Sequence, residues 1–207
     1  MSNDEIIMID YGAGNIRSVQ KAFEHIGAKV TLTEEPDMVL GARKLVLPGV
    51  GAFGSGLTAL RARHLDSAII RAANQGTPLL GICLGMQFLF DQSDEMGLHD
   101  GLGLISGHVT RFNLADKGLK VPHMGWNQIE SKRDHPLLNG VPDGSHAYFV
   151  HSYYCVADDD RDVITQTEFG HPFASCVARG NIFGIQFHPE KSQLRGLQIL
   201  RNFVALS

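Results

Sequence analysis

The chain is 207 residues long, enough for one domain with a single substantial core and cramped for two. Its 18 lysines and arginines stand against 22 aspartates and glutamates, a formal charge of −4 with no basic run, which argues against a nucleic-acid partner. No apolar run approaches the roughly 20 residues that span a bilayer, and MSNDEIIMID carries acid where a secretory leader carries base, so a soluble, cytoplasmic protein without membrane contact is expected.

In the first half, segments rich in Ile, Val and Leu alternate with helical periodicity, the rhythm of βα units and a largely parallel central sheet flanked by helices. Residues 5–10 read as the first strand. Asn15 stands where it can cap a helix whose apolar positions Ile16, Val19, Phe23 and Ile26 recur at helical spacing, and Gly27 ends it. Residues 29–33 and 44–47 read as strands, the second running into the glycine-rich loop PGVGAFGSG at 48–56. A helix at 65–74, a strand at 78–82 and a helix at 84–92 follow.

Beyond Gly97 the pattern changes to short extended pieces between Gly, Asn, Asp and Pro clusters, an additional antiparallel strand region in an α/β fold. The candidate strands are 109–112, 127–130, 147–150, 153–157, 163–168, 174–178 and 182–187. A final helix at 193–205 is expected to bring Leu194, Leu197, Leu200 and Val204 to one face. No repeat or linker interrupts the chain, so residues 1–207 are expected to form a single domain. DDDRD at 158–162 reads as a solvated turn, because it lacks the glycine and terminal glutamate of a calcium loop. No metal site is expected, since no HExxH or similar ligand spacing occurs.

Three cysteines, Cys83, Cys155 and Cys176, without CxxC spacing suit neither a disulfide framework nor a zinc site. Cys155 in YYCVA and Cys176 in ASCVA sit in strand-like runs and read as packing residues. Cys83 differs. In LLGICLGMQFLF a strand ends, one residue intervenes and a helix begins, which makes a strand–turn–helix corner of the nucleophile-elbow type, GxCxG in place of GxSxG. Gly81 and Gly85 leave room for the bend, the partial positive charge of the helix start favours an anionic sulfur, and the N–H of Leu84 can donate to an oxyanion. A buried small hydrophobe is the other reading of Cys83.

A thiol nucleophile needs a base, and the base needs a group that fixes its tautomer. IFGIQFHPE delivers His188 at the end of an apolar strand and Glu190 two residues later, so a bend at Pro189 can leave both at one sheet edge, with Glu190 accepting from one ring nitrogen. Taken alone, His-Pro-Glu is also an ordinary surface turn. His151, in YFVHSYY, serves either a pocket or a core hydrogen bond. The glycine loop lacks the GK[ST] of a P-loop, and beside the elbow it can turn the N–H of Val50 or Gly51 toward an oxyanion, or be a plain turn. YGAGN at 11–15, with Glu34 after the next strand, resembles the opening of a dinucleotide fingerprint, but Arg17 occupies the third glycine position.

Together these motifs resemble the class I, triad-type glutamine amidotransferases. GICLGMQ around Cys83 and QFHPE through Glu190 are that family's nucleophile and His-Glu motifs. IDYGAGNIRSV, LPGVGAFG, VPHMGWN, YFVHSYY and FGIQFHPEKS are similar, more narrowly, to the glutaminase subunits of imidazole glycerol phosphate synthases, and they run from the first strand to the last helix. YGAGN and the lysine after HPE speak against the glutaminases of pyridoxal phosphate and anthranilate synthesis. The resemblance implies L-glutamine as substrate, Cys83 as nucleophile, His188 as proton carrier and Glu190 as its orienting carboxylate, with no cofactor. It further implies oxyanion contacts from Leu84 and from Val50 or Gly51, and substrate contacts from Gly51, Gln87, Ser152 and Tyr153. A (β/α)8-barrel cyclase of histidine biosynthesis is the implied partner, in a heterodimer, with Asn15, Trp126 and Lys191 at the interface.

Overall fold

The computed structural model describes residues 5–12 and 14–206; the acidic start at residues 1–4 and Ala13 of YGAGN lie outside the described residues. In chain order the first half forms β1 (Glu5–Ile9), α1 (Ile16–His25), β2 (Lys29–Thr33), α2 (Pro36–Leu40), β3 (Leu45–Gly49), α3 (Phe53–Ala62), α4 (Leu65–Asn74), β4 (Leu79–Cys83) and α5 (Leu84–Phe88). The second half forms β5 (Phe90–Ser93), β6 (His99–Asp100), β7 (Ile105–Arg111), β8 (His123–Ser131), β9 (Ser145–His151), β10 (Tyr153–Ala157), β11 (Val163–Glu168), β12 (Pro172–Arg179), β13 (Ile182–Ile185) and α6 (Gln193–Ala205).

Nine strands make the main sheet in the order β2-β1-β3-β4-β13-β12-β11-β8-β9. The first five are parallel, and from β13 outward the pairing is antiparallel. A second sheet, β10-β7-β5-β6, shares no strand pairing with the first and packs on it through Cys155, Val109 and Val177. The parallel half is apolar on both faces because helices cover both. Ile6 and Met8 of β1 pack with α1 and α6 residues such as Phe23, Ile199 and Phe203, whereas Ile7 and Ile9 pack with Phe53, Leu60 and Ile69 of α3 and α4. That split follows from the two-residue period of a strand. Among the described residues no helix is long and apolar enough to cross a membrane.

Several expectations need correction. The loop expected at 48–56 is half helix: Pro48 and Gly49 finish β3, and α3 begins at Phe53. Its glycines are there for contact, since a Cβ on Gly54 would lie 2.6 Å from the His99 ring and one on Gly56 2.4 Å from the Phe88 ring. The helix expected at 84–92 stops at Phe88, because the chain leaves it to form β5, and Leu102 and Gly103 donate to the carbonyls of Phe88 and Phe90. Leu194 is 72% exposed and stands off the buried face of α6, which is formed by Gly196, Ile199, Leu200 and Phe203. Asn15 precedes α1 but makes no side-chain cap; only its carbonyl accepts, from the N–H of Ser18. Two short elements, α2 and β6, lie where no element is expected.

Candidate active site

Parallel pairing of β3, β4 and β13 brings their carboxyl ends to one rim, the usual place for a site in an α/β sheet. Gly49 lies opposite Cys83 across the β3–β4 pair, and Ile185 lies opposite Ile82, three residues before His188. Cys83 itself has φ 56° and ψ −112°, a conformation disfavoured for a residue with a Cβ. Holding it there costs on the order of 1–3 kcal/mol, which the packing around the corner must supply. Gly85 permits that packing, because a Cβ there would lie 1.8 Å from the Leu47 carbonyl oxygen. The bend is therefore built by contact between β3 and the start of α5.

His188 follows β13, and Glu190 lies in the 3-10 turn Pro189–Lys191. The Nδ1 of His188 is 2.8 Å from Oε1 of Glu190, with both side chains almost fully buried. The turn is braced from β9: the N–H of His188 donates to the carbonyl of Tyr148, the N–H of Tyr148 donates to Ser192 Oγ, and that hydroxyl donates back to the His188 carbonyl. Burial works against a charged imidazole, but the neighbouring Cys83 sulfur and the Glu190 carboxylate outweigh it and push His188 up to about 10. Burial likewise works against the Glu190 carboxylate, yet His188 and Asn15 hold its pKa below the ordinary value. The Nε2 of His188 is buried with no protein hydrogen-bond partner among the described residues, and the sulfur lies beside the ring on this side of the site.

One cavity of about 460 Å³ opens at this rim, within the size range of small-molecule sites. Val50, Gly51, Cys83, Leu84, Gln87, Ser152, Tyr153 and His188 all line it. Gly51, at φ +101°, sets the direction of the loop's peptides, and Leu84 opens α5, so its N–H has no partner within the helix. Gln87 is buried, its Nε2 donating to the Tyr153 carbonyl and to Gln186 Oε1, both at 3.1 Å. Glu190 does not line the cavity and reaches it only through His188.

Sequence reasoning missed two polar residues here, one in the cavity wall and one beside the cysteine. Glu95 lines the cavity while its Oε2 accepts from the N–H of Phe53 at 2.6 Å. Gln186 is fully buried at the exit of β13, with its Nε2 3.8 Å from Cys83 Sγ. A polar residue inside the apolar run IFGIQF is the signal that could have found it. His151 takes both roles left open for it, lining the cavity and donating from Nδ1 to the Tyr153 carbonyl at 2.8 Å. Its Nε2 lies 3.1 Å from Nδ1 of His123, whose Nε2 is 3.2 Å from the Asn127 amide nitrogen.

Cys155 and Cys176 are fully packed, and burial pushes both thiols up, Cys176 to about 12. Trp126 is 48% exposed, and its ring meets Tyr148 edge-on at 5.9 Å. Lys191 Nζ stands 5.7 Å over the same Tyr148 ring. Asn15 is half-buried, and its amide donates to Glu190 Oε1 at 2.8 Å. Glu34 pairs with Arg63 at 3.5 Å in an exposed position.

Residues 7–206 match the family model described as glutamine amidotransferase class-I. A protein of Salinibacter ruber named imidazole glycerol phosphate synthase subunit HisH is 53% identical over 203 residues, spanning 96% of this chain and 93% of its own. One of the same name from Syntrophotalea carbinolica is 50% identical, spanning 96% and 98%. Among solved structures, PurLQS from Thermotoga maritima superposes with a TM-score of 0.76 at 21% identity, covering 96% of each chain. A glutamine amidotransferase crystal structure gives 0.74 at 17% identity, again covering 96% of each, and both likenesses speak to the fold.

Proposed function

This chain belongs to the class-I glutamine amidotransferase family, as a glutaminase subunit of the imidazole glycerol phosphate synthase type in histidine biosynthesis, and from that premise we propose how its residues do the work. Residues 1–207 form one glutamine amidotransferase domain. Cys83 Sγ attacks the side-chain carboxamide carbon of L-glutamine, and the negative charge that develops on the amide oxygen is met by the N–H of Leu84 and by that of Val50 or Gly51. Each such donor is worth on the order of 100- to 1,000-fold in rate. His188 Nε2 gives its proton to the departing nitrogen, and ammonia leaves. The neutral imidazole then takes a proton from water, which cleaves the γ-glutamyl thioester to glutamate and frees the sulfur. Glu190 keeps Nδ1–H in place throughout.

The observation that carries this reading is the His188–Glu190 pair at 2.8 Å beside a cysteine held at an elbow, with Cys83 and His188 lining one cavity. In the cavity Gly51, Gln87, Ser152 and Tyr153 hold the amino-acid end of the substrate, and the Glu95 carboxylate supplies the charge that an α-ammonium requires. The partner is a (β/α)8-barrel cyclase that receives the ammonia in a heterodimer in the cytoplasm. An exposed apolar cluster supports a docking face: Trp126 and Leu194, 48% and 72% exposed, line one surface groove, and Lys191 stands nearby over Tyr148. Cys83→Ala should abolish glutamate release by the chain mixed with its cyclase. Release at the unaltered rate would remove Cys83 from the mechanism, and failure of a barrel cyclase to co-purify with the chain would remove the partner.

A further inference from the structure

One polar contact at the site is not used by the chemistry above. Glu190 offers two oxygens to its surroundings, and they are treated unequally. Oε1 accepts both from His188 and from the Asn15 amide, each at 2.8 Å, while Oε2 is buried with no protein hydrogen-bond partner among the described residues. Among the described residues, His188 and Asn15 are the side chains that bond this carboxylate, and the backbone N–H of Glu190 adds to them.

Asn15 is placed for the task by its backbone. It adopts φ 67° and ψ 0°, the left-handed conformation that asparagine tolerates better than most side chains. It stands at the foot of α1, which packs against the turn that carries Glu190, and its neighbour Gly14 approaches Val50 closely, a Cβ there falling 3.4 Å from Val50 Cγ2. The segment between β1 and α1 therefore touches both the orienting carboxylate and the loop assigned to the oxyanion. We propose that Asn15 is a positioning residue that acts through Glu190: its amide pins Oε1, and so fixes the ring of His188 against Cys83. The proposal rests on the glutaminase reading of the same site. The titratable groups acting on Glu190 are His188 and, through it, Cys83.

Two variants separate this role from a structural or interfacial one. Asn15→Gly keeps the left-handed backbone and deletes the amide; Asn15→Asp keeps the shape and replaces the donor with a second carboxylate. Thermal melting first establishes that each is folded. In the intact chain alone, the rate of Cys83 alkylation by iodoacetamide is followed against pH by mass spectrometry, which needs no turnover. With the cyclase present, kcat and KM for glutamine are measured. Asn15→Gly should lose about 10- to 100-fold in kcat with KM changed by less than about twofold. In Asn15→Asp two facing carboxylates cannot both ionise readily, so the acid limb of the alkylation profile should rise by about one pH unit or more. An unshifted alkylation profile in folded Asn15→Asp, or a loss in folded Asn15→Gly confined to KM, would overturn the proposal. Should the unaltered chain alkylate at Cys83 yet release no glutamate, the glutaminase reading fails instead, and the alkylation profiles still judge Asn15.

Discussion

His188 and Glu190, two residues apart in sequence, meet at 2.8 Å with side chains only 3% and 1% exposed. A pair so buried couples chemistry to stability. His188 is raised from 6.5 to about 10, so its contribution to folding is complete below pH 6.5 and is lost as pH rises toward 10. Glu190 is lowered from 4.5, so its contribution is present above pH 4.5 and fades as pH falls below that value. The two windows overlap between those limits. Glu190→Gln should flatten the alkaline fall in melting temperature, because the imidazole loses one of the two partners that raise it. The same variant should lower kcat by on the order of 1,000- to 10,000-fold, since an amide can present the wrong atom to Nδ1. Melting scans across pH and steady-state glutamate release check the two halves.

At the elbow, removing more atoms should give the more stable protein. Cys83→Gly and Cys83→Ala both delete the sulfur, but only glycine is at ease at φ 56° and ψ −112°. Cys83→Gly is expected to exceed Cys83→Ala by about 1–2 kcal/mol, or a few degrees in melting temperature. Equal melting temperatures would mean that the corner carries no strain.

Gly85 and Gly51 should respond differently to the same methyl group. At Gly85 a Cβ meets the Leu47 backbone at 1.8 Å, and backbone in a central strand has nowhere to move, so Gly85→Ala should cost about 3 kcal/mol or more. At Gly51 nothing lies within 4 Å and only φ +101° is at stake, about 1–2 kcal/mol. Gly51→Ala should fold and lose activity, whereas Gly85→Ala should lose the fold. Denaturant titration and glutaminase assays on both decide it.

The hydrogen bonds of His151 and His123 allow one pattern of protons. The Tyr153 carbonyl can only accept, so His151 carries hydrogen on Nδ1; His123 must then donate from Nδ1 to His151 Nε2, and its own Nε2 accepts from Asn127. Burial lowers both rings, His123 to about 4 and His151 to about 3. Nitrogen-15 spectra at pH 5 should show two neutral imidazoles, both in the Nδ1–H form. Because the unfolded rings titrate near 6.5, this pair destabilises the fold progressively as pH drops from there toward 3.

Sequence reveals the parallel half of the sheet because β1, β3, β4 and β13, covered on both faces, carry apolar runs between turn residues, and the edge strand β2 alternates as KVTLT. The residues proposed for the triad are legible because Cys83 and His188 stand at or just beyond the ends of such runs, and Glu190 follows His188 by two. Sequence does not reveal α3, since the contacts with Phe88 and His99 require glycines that read as a loop. Nor does it reveal what Asn15 does. Position before a helix suggests a cap, and the actual acceptor lies 175 residues away. Glu95 is hidden for the same reason, since its partner Phe53 is 42 residues away, and the polar Gln186 in an apolar run shows in the sequence while its partners Gln87 and Cys83 do not.

The neighbour of β4 on one side, β13, is encoded about a hundred residues after it. During translation the Cys83 thiol therefore emerges long before His188, the base proposed for it, and the two can meet only once the far strand has joined the middle of the sheet. In that interval the open edge of β4 is the surface that a chaperone would have to guard.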